Sequence, residues 1–341
     1  MSTRLKRFGY IARTAITTGL MVSLAYNGTI DFGAVAIMLR RPWLAALNLA
    51  VFAFMVTVAT LRWRLLLSLV DFKVPLRRLF ALQLAADFSN AFTGIGGDVR
   101  KTLDVARDAS AVERPRLLLI FIVDRLVSFA GIMALLFIRV GAHVLDGTAR
   151  RSSVILFLGS VLTPLLFVHG LRVYHGRLAV WTARLDADVL THGPSRLARV
   201  LNLFLSVHTL LSRLLTAQPK KMAVALLLSL AEHLAAMAFF IMVTRMALAR
   251  EVSYWAIAVV FPLGILTTRV PWISPSGLGI GHVAFERLFL SVGLVSGATI
   301  FNIYWVCQTL PRLIFGAYPY LALKKRRAVE LFSRPPADLG R

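Results

Sequence analysis

Long hydrophobic runs recur along this chain of 341 residues, separated by short polar segments. A helix needs about 20 apolar residues to cross a hydrocarbon core about 30 Å thick. The runs of about that length lie near positions 12–30, 43–61, 117–138, 154–171, 222–244 and 298–323. The pattern therefore predicts about six full membrane spans, all of them helical.

Two further apolar segments are too short or too interrupted to be ordinary spans. Residues 79–93 run into the glycine-rich segment 94–98, and residues 255–268 run into 274–281, which a short apolar stretch follows. Fifteen residues at 1.5 Å each cover only about 22 Å. We therefore predict two re-entrant or broken hairpins, which raise the count to about eight spans if each is counted as a crossing.

The resulting fold prediction is an all-α polytopic membrane protein with an inverted-repeat-like organisation. One transmembrane domain covers 1–325, with pseudo-halves at about 10–171 and 172–325. Leucines at roughly helical spacing between 197 and 215 predict an amphipathic helix on the bilayer surface. The basic segment 326–341 is expected to be a disordered cytoplasmic tail.

The composition excludes several classes of protein. Apolar residues make up 58% of the chain and charged residues only 16%, and the mean hydropathy is +0.73. A soluble globular domain is about one quarter charged, so most of this chain must face lipid or other apolar helices. Cys307 is the only cysteine, which excludes a disulfide scaffold and a multi-cysteine zinc site.

The charge is strongly positive, with 39 Lys and Arg against 16 Asp and Glu. In a membrane protein the positive-inside rule and anionic lipids explain such an excess better than nucleic acid does. The cationic residues concentrate in alternate connecting segments and at both ends of the chain. This bias predicts a bacterial inner-membrane protein with both termini in the cytoplasm.

The glycine-rich breaks are the first part of the candidate substrate site. A broken helix presents free N–H groups and a positive dipole end at membrane depth, where an anionic group such as a lipid phosphate can bind. Glycines that only allow close helix packing are the structural alternative. The candidates at the breaks are Gly94, Gly96, Gly97, Asp98, Arg100, Ser274, Gly277, Gly279, Gly281, His282 and Glu286.

Ionisable residues within or beside the spans are the second part. They are costly in a bilayer, so each is a candidate functional residue, although an ion-pair network that only fixes helix packing is the alternative. Adjacent residues point about 100° apart on a helix, so we expect the members of each doublet to pair with other helices. The candidates are Arg62, Arg64, Asp124, Arg125, Glu232, His233 and Arg269.

Catalytic motifs are absent from the sequence. It contains no phosphate-binding loop, no dinucleotide fingerprint and no nucleophile elbow, and its histidines lack metal-ligand spacing. We therefore expect a protein that is not an enzyme and that needs neither a cofactor nor a metal.

Four motifs in order resemble the transmembrane flippase-like domain of lysylphosphatidylglycerol synthases over about residues 10–325. They are Arg62-Trp63-Arg64-Leu65-Leu66, Gly96-Gly97-Asp98-Val99-Arg100, Asp124-Arg125, and the run from Pro271 to Gly279. That family often has Pro-Gly-Gly-x-Gly and then a glutamate in the last motif. Here Ser276 replaces a glycine and His282 lies near the position of the glutamate, so Glu286 is the alternative for its role.

The resemblance implies lipid handling without the synthesis, because the soluble aminoacyl-transferring region has no counterpart in this sequence. The expected function is translocation of a phospholipid or lipid-linked anionic headgroup. Four arginines would contact the phosphate, namely Arg62, Arg100, Arg125 and Arg269. Four carboxylates would hold these arginines, namely Asp98, Asp124, Glu232 and Glu286. The alternatives are a lipid-binding subunit of a biosynthetic enzyme and a membrane-embedded transferase with Asp98 or Asp124 as base. The expected partners are membrane lipids, with a second copy or a biosynthetic enzyme as candidate protein partners.

Overall fold

A computed structural model describes residues 40–93, 96–110, 113–145, 218–248, 252–268 and 277–333, together with isolated positions between 19 and 36 and between 207 and 217. Within these ranges the chain is helical and has no strand. The eight helices are α1 (Pro42–Ser68), α2 (Leu76–Thr93), α3 (Gly96–Ala106), α4 (Glu113–Leu145), α5 (Pro219–Leu248), α6 (Tyr254–Thr268), α7 (Ile280–Ser291) and α8 (Gly297–Ser333). The predicted all-α class is confirmed.

Three of these helices are long and apolar enough to cross a membrane. They are α1, α5 and α4, the last over Glu113–Phe137, and each of the three whole helices contains one of the predicted spans. The shorter apolar helix α6 matches the predicted segment 255–268. Both predicted interruptions are present, because α2 ends at Thr93 before α3 begins at Gly96, and α6 ends at Thr268 before α7 begins at Ile280.

Several predictions concern parts of the chain outside the described residues. The spans near 154–171 and, for the most part, 12–30 lie there, as does most of the amphipathic segment 197–215. The division into pseudo-halves at 171 therefore stays a prediction.

The last helix is longer than predicted. α8 continues through Lys324 and Lys325 to Ser333, so the first residues of the segment predicted to be a disordered tail are helical. The continuous apolar pattern ends near position 323, and the long basic side chains that follow are compatible with helix because they lose little rotamer freedom in it. Residues 334–341 lie outside the described part.

Pro311 interrupts the hydrogen bonding of α8 near its middle. Proline has no N–H, so the carbonyl of Cys307, four residues earlier, cannot receive its usual helical hydrogen bond. The Nδ2 atom of Asn48 in α1 donates to this carbonyl at 2.6 Å. A neighbouring helix thus satisfies the freed backbone group, which makes the proline tolerable in an apolar environment.

The described helices belong to two compact units. The first contains α1 up to Arg64, α2, nearly all of α3, and the chain from Ala231 onward. The second contains Leu65–Lys73, α4 and α5 up to Leu230.

In the first unit, α8 packs against both interrupted hairpins. Its contacts with α7 lie near its start, where the ring of Phe301 stacks on that of Phe285 at 4.6 Å. Its contacts with α2 lie beyond Pro311, where a Cβ on Gly316 would come within 2.5 Å of the Leu84 carbonyl oxygen. Only a glycine at position 316 allows this approach. Pro311 therefore lies between the parts of α8 that hold the two hairpins.

An aromatic core joins α5, α6, α7 and α8 in the same unit. The ring of Phe240 is at its centre, 5.2 Å from each of the rings of Phe261 and Phe285 and 5.3 Å from that of Tyr304. Offset and edge-to-face aromatic pairs at these distances are favourable, and they fix the second hairpin rigidly against α5.

Candidate functional site

A row of polar residues runs along one side of helix α2. Gln83, Asp87 and Asn90 are spaced by four and three residues, so they share a face of the helix. Gln83 Nε2 donates to Asp87 Oδ1 at 3.1 Å. This row faces two residues of α3, Asp98 and Lys101, and we call the five residues the α2–α3 polar network.

Lys101 and Asp98 connect α3 to that row. The Nζ atom of Lys101 donates to Gln83 Oε1 at 2.8 Å and lies 3.7 Å from Asp98 Oδ1. Asn90 Nδ2 donates to Asp98 Oδ2 at 3.0 Å. Lys101 is only 2% exposed and Asp98 4%, so both charges are removed from solvent and balance each other.

The turn between α2 and α3 depends on Gly97. Its backbone N–H donates to Asn90 Oδ1 at 2.9 Å, and a Cβ there would come within 2.0 Å of the Ala86 carbonyl oxygen. At the first break, the start of α3 therefore packs closely against α2. Asn90 and the first-turn acid Asp98 already satisfy part of the positive N-terminus of α3.

The indole of Trp63 joins this network to α1. The Nζ atom of Lys101 lies 4.6 Å from the centre of the Trp63 ring, which is 1% exposed. A cation over an aromatic face is attracted by the ring quadrupole, most strongly where water is excluded.

Arg62, the neighbour of Trp63, forms a buried ion pair with Glu232 of α5. The Arg62 Nη1 atom donates to Glu232 Oε2, and the two side chains are 3% and 14% exposed. The prediction that Glu232 pairs with another helix is confirmed. The contact is the one that the proposed role of Glu232 in holding an arginine requires.

Arg100 lies on the face of Tyr320 in α8. Its guanidinium carbon is 4.2 Å from the ring centre, and its Nε atom is buried without a hydrogen-bond partner among the described residues. The side chain is half-buried, so Arg100 combines a fixed position with an unused donor. A phosphate oxygen is the natural acceptor for such a donor.

At the second break, two glycines with positive φ lie just before α7 begins. Gly277 and Gly279 have φ values of 75° and 76°, which residues with a Cβ rarely adopt. A Cβ on Gly277 would lie 2.5 Å from Thr268 Cβ, so the end of α6 lies directly against the turn that precedes α7.

His282 caps this turn. The Gly279 N–H donates to His282 Nδ1 at 3.3 Å, so the hydrogen of the neutral ring is on Nε2, which donates to Asn302 Oδ1 at 3.2 Å. His282 is the third residue of α7, the position from which Glu or Gln reaches back in a capping box. His282 thus supplies the acceptor that Glu or Gln supplies in a capping box.

Among the described residues, Glu286 bonds a backbone amide and not an arginine. Its Oε2 atom accepts a hydrogen bond from the Ala298 N–H at 2.8 Å, at the start of α8, and it forms no ion pair with the described residues. The carboxylate instead satisfies a free amide and the positive end of the α8 dipole.

In the second unit, Asp124 and Arg125 interact with each other. Arg125 Nη2 donates to Asp124 Oδ2 at 2.6 Å, so the prediction that this doublet pairs only with other helices is wrong. The Cα–Cβ directions of adjacent residues diverge, but the long, flexible arginine side chain bends back to its neighbour. The Asp124 side chain is 1% exposed and that of Arg125 28%.

The remaining predicted residues are scattered. Arg64 is exposed on α1, His233 is buried on α5, Gly96 begins α3, and Gly281 is buried against Phe301. Gly94, Arg269 and Ser274 lie outside the described residues.

Six residues that complete the site are not among the candidates from the sequence. Two signals could have found part of this set. The polar residues of α2 are spaced as one helical face, and Lys101 follows Asp98 by one helical turn. The missed residues are Gln83, Asp87, Asn90, Lys101, Asn302 and Tyr320.

Residues 10–316 match the family described as the lysylphosphatidylglycerol synthase TM region. The chain belongs to this family. No curated protein matches it significantly. Membership in the lysylphosphatidylglycerol synthase TM family, together with the apolar helices, indicates a membrane protein related to lipid handling.

Proposed function

We propose that this protein is a lipid translocase that moves a phospholipid or a lipid-linked anionic headgroup across the bacterial inner membrane, with both termini in the cytoplasm. It acts by transport and not by catalysis. The family membership supports the lipid as substrate, and the distribution of Lys and Arg supports the orientation.

The observation that carries the proposal is the α2–α3 hairpin with its buried charges. Ionisable groups inside a membrane protein are costly and usually mark the path of a polar substrate. Lys101 and Asp98 are kept buried at a helix break, and Arg100 next to them offers an unused donor. A headgroup phosphate that reaches the hairpin can accept from the Arg100 guanidinium, whose Nε donor is not yet used by the described residues.

A lipid-movement assay in reconstituted vesicles tests the proposal. Fluorescent phosphatidylglycerol or phosphatidylethanolamine is placed in both leaflets, and an impermeant reductant quenches the outer one. Wild-type protein should make most of the inner-leaflet fluorescence accessible, and Arg100→Gln should slow this several-fold, because it removes the charged donor. Arg287→Gln, at an exposed position of α7, is the matched control.

The rival functions give different results in the same preparation. A non-transporting lipid-binding subunit would retain lipid in native mass spectrometry but leave the inner-leaflet fluorescence protected. A transferase would convert a labelled lipid-linked donor, and Asp98→Asn would abolish that turnover. Equal lipid movement by wild-type protein, Arg100→Gln and Arg125→Gln would show that these arginines do not contact the headgroup.

A further inference from the structure

Two buried amide side chains lie at the proline turn of α8, apart from the charged network. Asn48 of α1 is 7% exposed and Gln308 of α8 is 4% exposed. Asn48 uses its Nδ2 atom to bind the carbonyl of Cys307, in the peptide group that leads directly into Gln308. The Asn48 amide therefore lies against the turn that carries Gln308.

Three polar atoms of these side chains have unmet hydrogen-bonding capacity. Asn48 Oδ1, Gln308 Oε1 and Gln308 Nε2 are all buried, and none has a hydrogen-bond partner in the described part of the chain. Leaving buried donors and acceptors unpaired costs free energy, and a membrane interior offers no bulk water to replace the missing partner. Buried polar groups in folded proteins are nearly always hydrogen-bonded, and an ordered water or a ligand group is the usual partner where the protein supplies none.

We propose that Asn48 and Gln308 form a binding site for a hydroxyl group at the Pro311 turn of α8. A hydroxyl donates to a carbonyl oxygen and accepts from the Gln308 amide, so it uses both kinds of unmet group. An anion would match only the Nε2 donor, and a metal cation only the two oxygens. Bound water and the hydroxyl of a lipid headgroup share this chemistry.

The position of the site on α8 gives the hydroxyl a structural role. The start of α8 packs against the second hairpin and the part beyond Pro311 packs against the first. Asn48 already bonds the Cys307 carbonyl that the proline frees, and a hydroxyl bound to the unmet side-chain atoms holds the amide that makes this bond in place, as ordered water does at broken membrane helices. The site thus stabilises the turn between the parts of α8 that hold the two hairpins. It does not depend on the proposed lipid movement.

Hydroxyl-radical footprinting of the full-length protein tests for bound water. Synchrotron X-rays split water, and the radicals oxidise the side chains next to it, so Cys307 is the reporter although it is only 3% exposed. We expect Cys307 to be oxidised in delipidated detergent micelles, and Gln308→Leu to reduce this several-fold. Thr60→Val removes a buried hydroxyl that is already bonded to the Val56 carbonyl, so it should leave Cys307 labelling unchanged.

Native mass spectrometry tests the lipid source. If a lipid supplies the hydroxyl, wild-type protein should retain phosphatidylglycerol that Gln308→Leu loses, and Cys307 should become oxidised only after delipidation. Unlabelled Cys307 together with equal lipid retention would overturn the proposal. Thermal stabilisation by sodium chloride but not by choline chloride, lost in Gln308→Leu, would identify a cation site and overturn it too. Either result leaves the lipid-movement assay unaffected.

Discussion

Arg62 of α1 donates a hydrogen bond to Glu232 of α5, which is 170 residues away in the sequence, and both groups are shielded from solvent. The pair joins two of the three helices that are long and apolar enough to span a membrane. Trp63 follows Arg62 in the sequence, and the Lys101 ammonium group lies over the Trp63 ring. The ion pair and the α2–α3 polar network therefore meet at one turn of α1.

Breaking this pair should strongly destabilise the protein. Arg62→Ala leaves a carboxylate without its partner in a dry environment, which typically costs about 3–5 kcal/mol. We expect thermal unfolding in detergent micelles, followed by circular dichroism, to begin at a clearly lower temperature. Arg64→Ala, at an exposed position of the same helix, should unfold like the wild type. Similar unfolding temperatures for both variants would mean that the pair contributes little.

Asn48 and Pro311 should be energetically coupled. Asn48→Leu removes the donor to the Cys307 carbonyl, and an unmet buried carbonyl costs about 1–3 kcal/mol. Pro311→Ala restores an N–H that can bind the same carbonyl, so Asn48→Leu should cost less in that background. A double-mutant cycle of chemical unfolding free energies measures this coupling. Strict additivity would show that Asn48 does not compensate for the proline.

Gly97 should tolerate no side chain. Its Cβ would lie 2.0 Å from a backbone carbonyl, which cannot move aside as a flexible side chain can. Gly97→Ala should therefore displace α3 from α2, break the Gly97–Asn90 bond and destabilise the protein by at least about 1–3 kcal/mol. Gly19→Ala is the matched control, because nothing lies within 4 Å of a Cβ at that position. Protease sensitivity near residue 94 would report the opened hairpin.

Glu286 should act as a helix cap for α8. Glu286→Ala removes the acceptor for the Ala298 N–H, and the loss of a capping side chain costs about 1 kcal/mol. Glu286→Gln keeps an acceptor and should be nearly neutral, as should Arg287→Ala at the exposed neighbouring position. Unfolding free energies distinguish the three variants. A large cost for Glu286→Gln would show that the charge matters, as it would in an ion pair.

His282 should be replaceable by glutamine. The Gln amide can accept from the Gly279 N–H and donate to Asn302, so His282→Gln should keep most of the stability. His282→Leu removes both bonds from a fully buried position and should lower the unfolding temperature markedly. If the two variants unfold alike, the ring is held by packing against Phe301 and not by its hydrogen bonds.

Particular residues show which features of the structure a sequence pattern can predict and which it cannot. The helix interruptions near Gly96 and Gly277 were predictable, because glycine runs end short apolar segments and such endings are local events. The importance of Glu232 was predictable because a carboxylate in an apolar run needs a partner. Its partner Arg62 was a candidate, but the pairing itself depends on how α1 packs against α5. The prediction that Asp124 and Arg125 would not pair with each other was wrong. Adjacent Cβ atoms on a helix point about 100° apart, but this angle does not determine where the end of a long arginine side chain lies.

The sequence by itself determined that this chain is helical, apolar and interrupted at two places, because hydropathy, helix length and glycine content act within a single segment. Only the tertiary structure decided which buried groups satisfy one another. Gln83 and Lys101 meet because Gly97 allows α2 and α3 to touch, and Asn48 bonds Cys307 because α1 and α8 lie within hydrogen-bond reach of each other there. Such pairings depend on distances between separate helices, and no local pattern encodes those distances.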